Sequence, residues 1–320
     1  MKGKFNFLII VLVLVFTIFS SKSFAKRNID IVRYSGRSRY ETAVVSSRGT
    51  FSSSRYVVIA SGEGYADALV GGTLATQLKA PILLTGKDNI STSVLGELER
   101  LQVKVVFLLG GDSTISPKVY NLLISKGYKV ERVFGHNRLE TAIKVREMRF
   151  KYAEFITPGE RIAVVDGFGY ADSLSAAPFV GQMTPTIYLY PYVKGKMNSI
   201  PYYMAFGGTS SVPEGFSEKV RYSGRSRFET SVEVAKAYSL RLNKIVDTIV
   251  LVDGNNYPDA LSSAPISALN NGAILLTQKD KLPGSIADFI RNNKNIKKVI
   301  IVGGQGSVSK NVEREISNMN

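Results

Sequence analysis

Cysteine is missing from all 320 residues, and histidine occurs once, as His136. The first absence removes disulfides, a lipid-modified cysteine and thiolate metal sites. The second allows a Ser-His-Asp arrangement at most once and a Cys-His pair not at all. No Asp-x-Asp triplet follows a strand, no Gly-x-x-x-x-Gly-Lys-Ser/Thr phosphate loop is present, and Gly62-Glu-Gly64 lacks the rest of a dinucleotide fingerprint. The sequence therefore predicts no catalytic residue, no metal ligand and no cofactor. Long apolar runs are also scarce. The longest, Phe7 to Phe19, falls short of the roughly 20 residues that span a bilayer.

That run follows Lys2 and Lys4 and precedes Ser23-Phe24-Ala25, so residues 1–25 read as a cleaved secretory signal, with an uncleaved anchor as the alternative. Removing it with Lys2, Lys4 and Lys22 leaves 38 basic and 26 acidic residues, a formal +12. Such an excess points to a polyanionic partner. Nucleic acid is not the one expected, because the charge is dispersed, no helix carries a long Lys/Arg stripe, and a secreted protein leaves the cytosol. With the signal gone, no membrane contact is expected either. A secreted chain with no anchor must diffuse away or hold on by binding.

What is present in abundance is repetition. Arg33-Tyr-Ser-Gly-Arg-Ser-Arg-Tyr-Glu-Thr-Ala43 returns as Arg132-Val-Phe-Gly-His-Asn-Arg-Leu-Glu-Thr-Ala142 and as Arg221-Tyr-Ser-Gly-Arg-Ser-Arg-Phe-Glu-Thr-Ser231. Three copies predict three modules, 26–126, 127–215 and 216–320. Short linkers without a flexible Ser/Gly tract suggest one cooperative unit. In each copy Ser38, Asn137 or Ser226, followed three residues later by Glu41, Glu140 or Glu229, forms a capping box that starts a helix.

In the first copy, strands are expected at 29–33, 56–60, 81–85 and 104–109, and helices at 39–48, from Asp67 to about 79, at 91–101 and up to about 125. Short apolar strands alternating with helices indicate an α/β fold with parallel sheets. The third copy repeats this order. In the second, 18 residues separate Leu189 from Gly207, against 25 from Thr85 to Gly110 and 26 from Thr277 to Gly303. One helix is therefore expected to be missing there, replaced by a tyrosine-rich loop holding Tyr188, Tyr190, Tyr192, Tyr202 and Tyr203. The second copy also gains several residues between Arg149 and Arg161.

Six arginines recur without being needed for capping. Arg33, Arg132 and Arg221 lie where a strand ends, and Arg39, Arg138 and Arg227 open the helix. Each pair thus sits at the carboxyl edge of a parallel sheet, where open α/β folds bind ligands. Guanidinium groups there can grip phosphate or carboxylate, or tie neighbouring copies together through Asp and Glu. The sequence leans to the structural role for the 39, 138, 227 set and leaves the other set evenly divided. Arg37 and Arg225, with His136 between them in the series, read as solvent-facing and are secondary candidates for polymer contact. Asp67, Asp172 and Asp259 read as helix caps, and Tyr65, Tyr170 and Tyr257 as packed turn residues, with sugar stacking as the alternative. Gly110-Gly111, Gly207-Gly208 and Gly303-Gly304 read as tight turns that could also admit an anion at a helix start.

The succession Arg-x-x-Gly-x-x-Arg, Gly-Tyr-Ala-Asp-Ala-Leu, Ala-Pro-Ile-Leu-Leu-Thr and Gly-Gly-x-x-x-Ile-Ser resembles the cell wall binding repeat (type 2) of clostridial surface proteins, over essentially all of residues 29–316. The resemblance implies three tandem Rossmann- or toprim-like α/β modules packed with pseudo-threefold symmetry. It implies non-covalent attachment to the wall through an anionic cell wall polysaccharide, a secondary wall polymer, with other surface-layer proteins as possible neighbours. Most relatives carry a further effector domain; signal and repeats account for all of this sequence, so anchoring is the expected function. The alternative is a wall-associated enzyme acting on wall glycan or peptide, with the repeats as its anchor.

Overall fold

The computed structural model describes residues 28–152, 161–184, 186–197, 200–215 and 217–319. The signal segment and the insertion after Arg149 therefore lie largely outside the described residues. The first copy contributes β1 (Asp30–Tyr34), α1 (Arg39–Thr50), β2 (Tyr56–Ser61), α2 (Ala66–Gln77), β3 (Ile82–Thr85), α3 (Thr92–Arg100), β4 (Val105–Leu109) and α4 (Pro117–Ser125). The second gives β5 (Lys129–Val133), α5 (Arg138–Tyr152), β6 (Arg161–Asp166), α6 (Ala171–Gly181), β7 (Ile187–Tyr192) and β8 (Met204–Phe206). The third gives β9 (Val220–Tyr222), α7 (Arg227–Leu242), β10 (Thr248–Asp253), a 3-10 turn, α8 (Ser263–Leu269), β11 (Gly272–Thr277), α9 (Gly284–Asn292), β12 (Lys298–Val302) and α10 (Lys310–Ser317).

These strands build three four-stranded sheets, ordered β3-β2-β4-β5, β7-β6-β8-β9 and β1-β12-β10-β11, and every pairing is parallel. Strands such as Val105–Leu109 are buried along their whole length, as continuous apolar runs covered on both faces must be. The sheets do not follow the sequence copies. Each takes its fourth strand from the next copy: β5 joins β4, β9 joins β8, and β1 joins β12 with Asp30 opposite Lys298 and Tyr34 opposite Val302. The first described strand thereby completes the sheet of the last copy and closes a ring. Within each repeated motif the strand belongs to one sheet, while its helix (α1, α5 or α7) packs on β3, β7 or β11 of the next.

At the centre, α2, α6 and α8 pack on one another. They are buried nearly all round, the pattern of core helices and not of surface ones. Equivalent small residues meet here. A Cβ on Gly72 would stand 3.0 Å from that of Ala177 and 3.2 Å from that of Ala264, and one on Gly181 would fall 2.7 Å from Thr76 Cβ. Peripheral α3 and α4 bury a single stripe each, Val94 with Leu98 and Val119 with Leu123.

Two expectations need correction. Tyr188, Tyr190 and Tyr192 are not in a loop but in β7, and Tyr188, Tyr190 and Tyr202 are buried. Their neighbour Pro191 is tolerated because β7 is an edge strand, where a missing N–H costs no ladder bond. Between β7 and β8 the described residues form turns and no helix, as the short spacing predicts. Secondly, Asp67 and Asp172 are not N-caps. Tyr65 and Tyr170 occupy those positions in αR conformation without a capping bond, and the aspartates sit inside the first turn. Asp259 stands at the N-cap of the 3-10 turn, also without a capping bond.

Candidate ligand clefts between the copies

The repeated motif folds locally into a rigid hook. Ser38 and Ser226 accept from Glu41 and Glu229 N–H, and Asn137 from Leu139 and Glu140 N–H. Glu41, Glu140 and Glu229 reach back to the N–H of residues 37, 136 and 225, and Thr42, Thr141 and Thr230 accept from Gly36, Gly135 and Gly224 N–H. The glycine is obligatory: a Cβ on Gly36 would lie 2.3 Å from Glu41 Cβ.

The strand-end arginines latch this hook to the preceding copy. One guanidinium nitrogen donates to two carbonyls of the Gly-Gly turn: Arg132 to Gly110 and Ile115, Arg221 to Gly207 and Val212, and Arg33 to Gly303 and Val308, all at 2.8–3.0 Å. Each also pairs with a carboxylate, Asp112 at 3.1 Å, Glu218 at 2.6 Å and Glu313 at 2.8 Å. With side chains only 14–18% exposed, their donors are largely committed to the protein. The first glycine of each turn has φ between +103° and +124°, a conformation that favours glycine. Its N–H donates to the last residue of the neighbouring strand, Val133, Tyr222 or Tyr34.

The helix-opening arginines point along the edge. Arg39, Arg138 and Arg227 donate to the carbonyls of Gly62, Gly167 and Gly254, the turns after β2, β6 and β10. Arg138 also lies 4.2 Å from the Phe168 ring centroid, and Arg227 lies 3.3 Å from the Tyr170 hydroxyl. Arg37 is 96% exposed with a loose contact to Glu41, and Arg225 and His136 are also exposed.

Between the second Gly-Gly turn and the hook that follows it runs a cleft at the carboxyl ends of the strands. Asp67 faces Thr141 and Arg138 across the first junction; desolvation raises its carboxyl above the ordinary range, against the pull of both partners. Asp172 faces Thr230 and Arg227 across the second. Desolvation, helped by the nearby Asp166, pushes it up to about 6. Asp259 accepts from Ser307 beside the third Gly-Gly turn. The cleft between the second and third copies has a volume of about 450 Å³, with Phe168, Tyr170, Asp172, Ser210, Arg225 and Arg227 in its walls. On the axis, Tyr65, Tyr170 and Tyr257 meet with ring centroids 5.1–5.8 Å apart, so the sequence's reading of them as packed residues holds.

Sequence reasoning missed three features. Buried Arg149 reaches across the first junction to Gln77 and, within its own copy, to the Ile187 carbonyl, its pKa brought down to about 10 by desolvation. Glu97, fully buried, is held ionised against its desolvation by Arg100, Ser47 and Arg48. Neither recurs in the other copies, so repetition could not mark them. Exposed Phe168 was also missed; it replaces Glu63 of the first copy and Asn255 of the third. Among the described residues no group of three or more His, Cys, Asp or Glu could hold a metal ion, and no helix is long and apolar enough to cross a membrane.

Three parallel α/β units, each with recurrent arginines at the carboxyl edge of its sheet, make up a repeat-built fold. The profile of cell wall binding domain 2 (CWB2) matches residues 33–120, 132–217 and 221–313, and the chain belongs to this family. It is 28% identical over 305 residues to the N-acetylmuramoyl-L-alanine amidase LytC of Bacillus subtilis (strain 168), covering 90% of this chain and 58% of that protein. It is 26% identical over 298 residues to the amidase enhancer of the same organism, covering 89% and 40%. Among solved structures it resembles Cwp6 from Clostridium difficile, with TM-score 0.77, 25% identity and 92% and 48% of the two chains covered. The likeness to Cwp8 from the same organism, TM-score 0.76 at 24% identity over 91% and 52%, is one of fold. The chain thus spans about half the length of the relatives it matches.

Proposed function

We infer that this is a secreted cell-surface protein that attaches to the bacterial wall without a covalent bond, by binding an anionic secondary wall polymer in the clefts between its copies. The observation that carries this reading is the row of recurrent arginines at the carboxyl edge of three parallel sheets, in a chain whose formal charge without residues 1–25 is +12 and whose family is wall-binding. Arg39, Arg138 and Arg227, with Arg37 and Arg225, form the polymer-facing set. Arg33, Arg132 and Arg221 shape the turns that border the same clefts, and their residual charge adds to the field there. The Lys2–Lys4 and Phe7–Phe19 segment supports export, and any surface-layer neighbours would share the same wall. Repeats 26–126, 127–215 and 216–320 act as one anchoring body without enzymatic activity of their own.

Co-sedimentation with purified walls tests this. The protein should pellet with intact walls and stay in solution with walls stripped of their anionic polymer. Equal retention on both would move recognition to peptidoglycan. Hydrolysis of wall glycan or peptide that a single substitution abolishes would favour the enzyme reading.

A further inference from the structure

The three junctions share a frame but differ in two positions along the repeated loops. Just beyond the glycine carbonyl that accepts from the helix-opening arginine stand Glu63, Phe168 and Asn255. At the exposed tip of the hook stand Arg37, His136 and Arg225. The cleft between the second and third copies combines Phe168 of one with Arg225 of the next; the counterparts by repeat position are Glu63 with His136 and Asn255 with Arg37. In the last, the arginine contacts Glu41. Only the set of Phe168 with Arg225 joins an aromatic ring to an arginine that forms no ion pair among the described residues.

The ring is placed to serve as a platform. Phe168 is 65% exposed although it lines the 450 Å³ cleft, and the Arg138 guanidinium stands 4.2 Å from its centroid. Exposing a phenylalanine costs solvation and gives the fold little, while a pinned aromatic face matches the apolar C–H face of a sugar ring. The rest of the lining supplies what a saccharide's other groups need: Ser210 and Asp172 for ring hydroxyls, and Arg225 with Arg227 for an anionic substituent.

Resting on the anchoring function above, we propose that the cleft between the second and third copies is the principal polymer subsite. It takes one sugar residue bearing a phosphate or carboxylate, stacked on Phe168 and paired with Arg225. The other two junctions carry Glu63 and Asn255 in place of the ring and add charge without a stacking contact. Specificity for a sugar, beyond attraction to any polyanion, therefore resides in one junction of the three.

The test is titration of the full chain with anionic wall polysaccharide extracted from Bacillus subtilis and Clostridium difficile, the sources of the relatives above. F168A should weaken binding about threefold to tenfold, the range of a lost aromatic contact, while F168Y restores it and E63A and N255A bind no more weakly than the parent. R225Q should reduce the salt slope by about one contact, and melting temperatures should confirm that each variant is folded. If the parent binds but F168A and R225Q bind as well as it does, or if N255A loses as much as F168A, the subsite is wrong while wall anchoring stands. If the parent binds neither polysaccharide, both fall together.

Discussion

The guanidinium groups of Arg33, Arg132 and Arg221 each donate to two turn carbonyls at 2.8–3.0 Å, and this divides the arginines by consequence. R132Q should lower stability by about 2–4 kcal/mol, because it removes an ion pair and leaves two part-buried carbonyls short of a charged donor. R225Q, on an exposed side chain, should stay within about 0.5 kcal/mol of the parent. Chemical denaturation of the two variants checks the contrast, and equal losses would contradict the division. Asp172 gives a pH signature. Its folded pKa, about 6, lies above the ordinary 3.8, so the fold favours the neutral acid. That stabilisation is fully present below about pH 4 and is lost as pH rises through 6; it is worth at most about 3 kcal/mol. D172N, neutral at every pH, should lack this part of the pH dependence and so gain relative to the parent between pH 5 and 7.5. Glu131 acts oppositely. The Tyr152 hydroxyl, Lys151 and Lys129 hold it down to about 2, so its contribution is present above pH 4.5 and lost as pH falls toward 2. Thermal melts from pH 3 to 8 should show the greatest stability near pH 5.

At the scale of elements, β1 is the clasp. Its five residues pair with β12 and carry Arg33 to the last Gly-Gly turn. V32P removes a ladder N–H and should raise amide exchange across β12 and β10 before it affects β2 or β4. Uniform loosening of all three sheets would argue against a local clasp. Most strands and helices are legible in the sequence to within a residue or two: β4 at 104–109 is found at 105–109, and α1 starts at Arg39 as its capping box dictates. Buried parallel strands announce themselves as apolar runs, and caps are local chemistry. Sheet membership is not legible, since nothing in Ile29 to Arg33 says that its partner lies some 270 residues away. Nor was the strand in Tyr188–Tyr192, where two prolines nearby and polar hydroxyls imitate a loop. The recurrence of the arginines was visible, but their division into latch and cleft residues depends on carbonyl positions that only the folded turns create.

Across the whole molecule, ring closure and the shared helical axis imply that the copies fold together. G72V would drive a branched side chain into Ala177 and Ala264, and overpacking of this kind costs about 1–3 kcal/mol. The parent and this variant should each melt in one calorimetric transition, with the variant's shifted down; separate transitions for the copies would contradict the closed ring. Anchoring then follows from charge held at three rigid edges. The measurement that bears on this most directly is the affinity of the full chain for intact walls as a function of salt. Each cation that replaces a counterion on a polyanion contributes about 0.7–0.9 to the slope of log affinity against log salt, by analogy with nucleic acids. Binding through several edge arginines predicts a steep, linear fall that flattens when Arg39, Arg138 and Arg227 are changed together to glutamine. Retention that is indifferent to salt, with the triple variant bound as tightly as the parent, would contradict it.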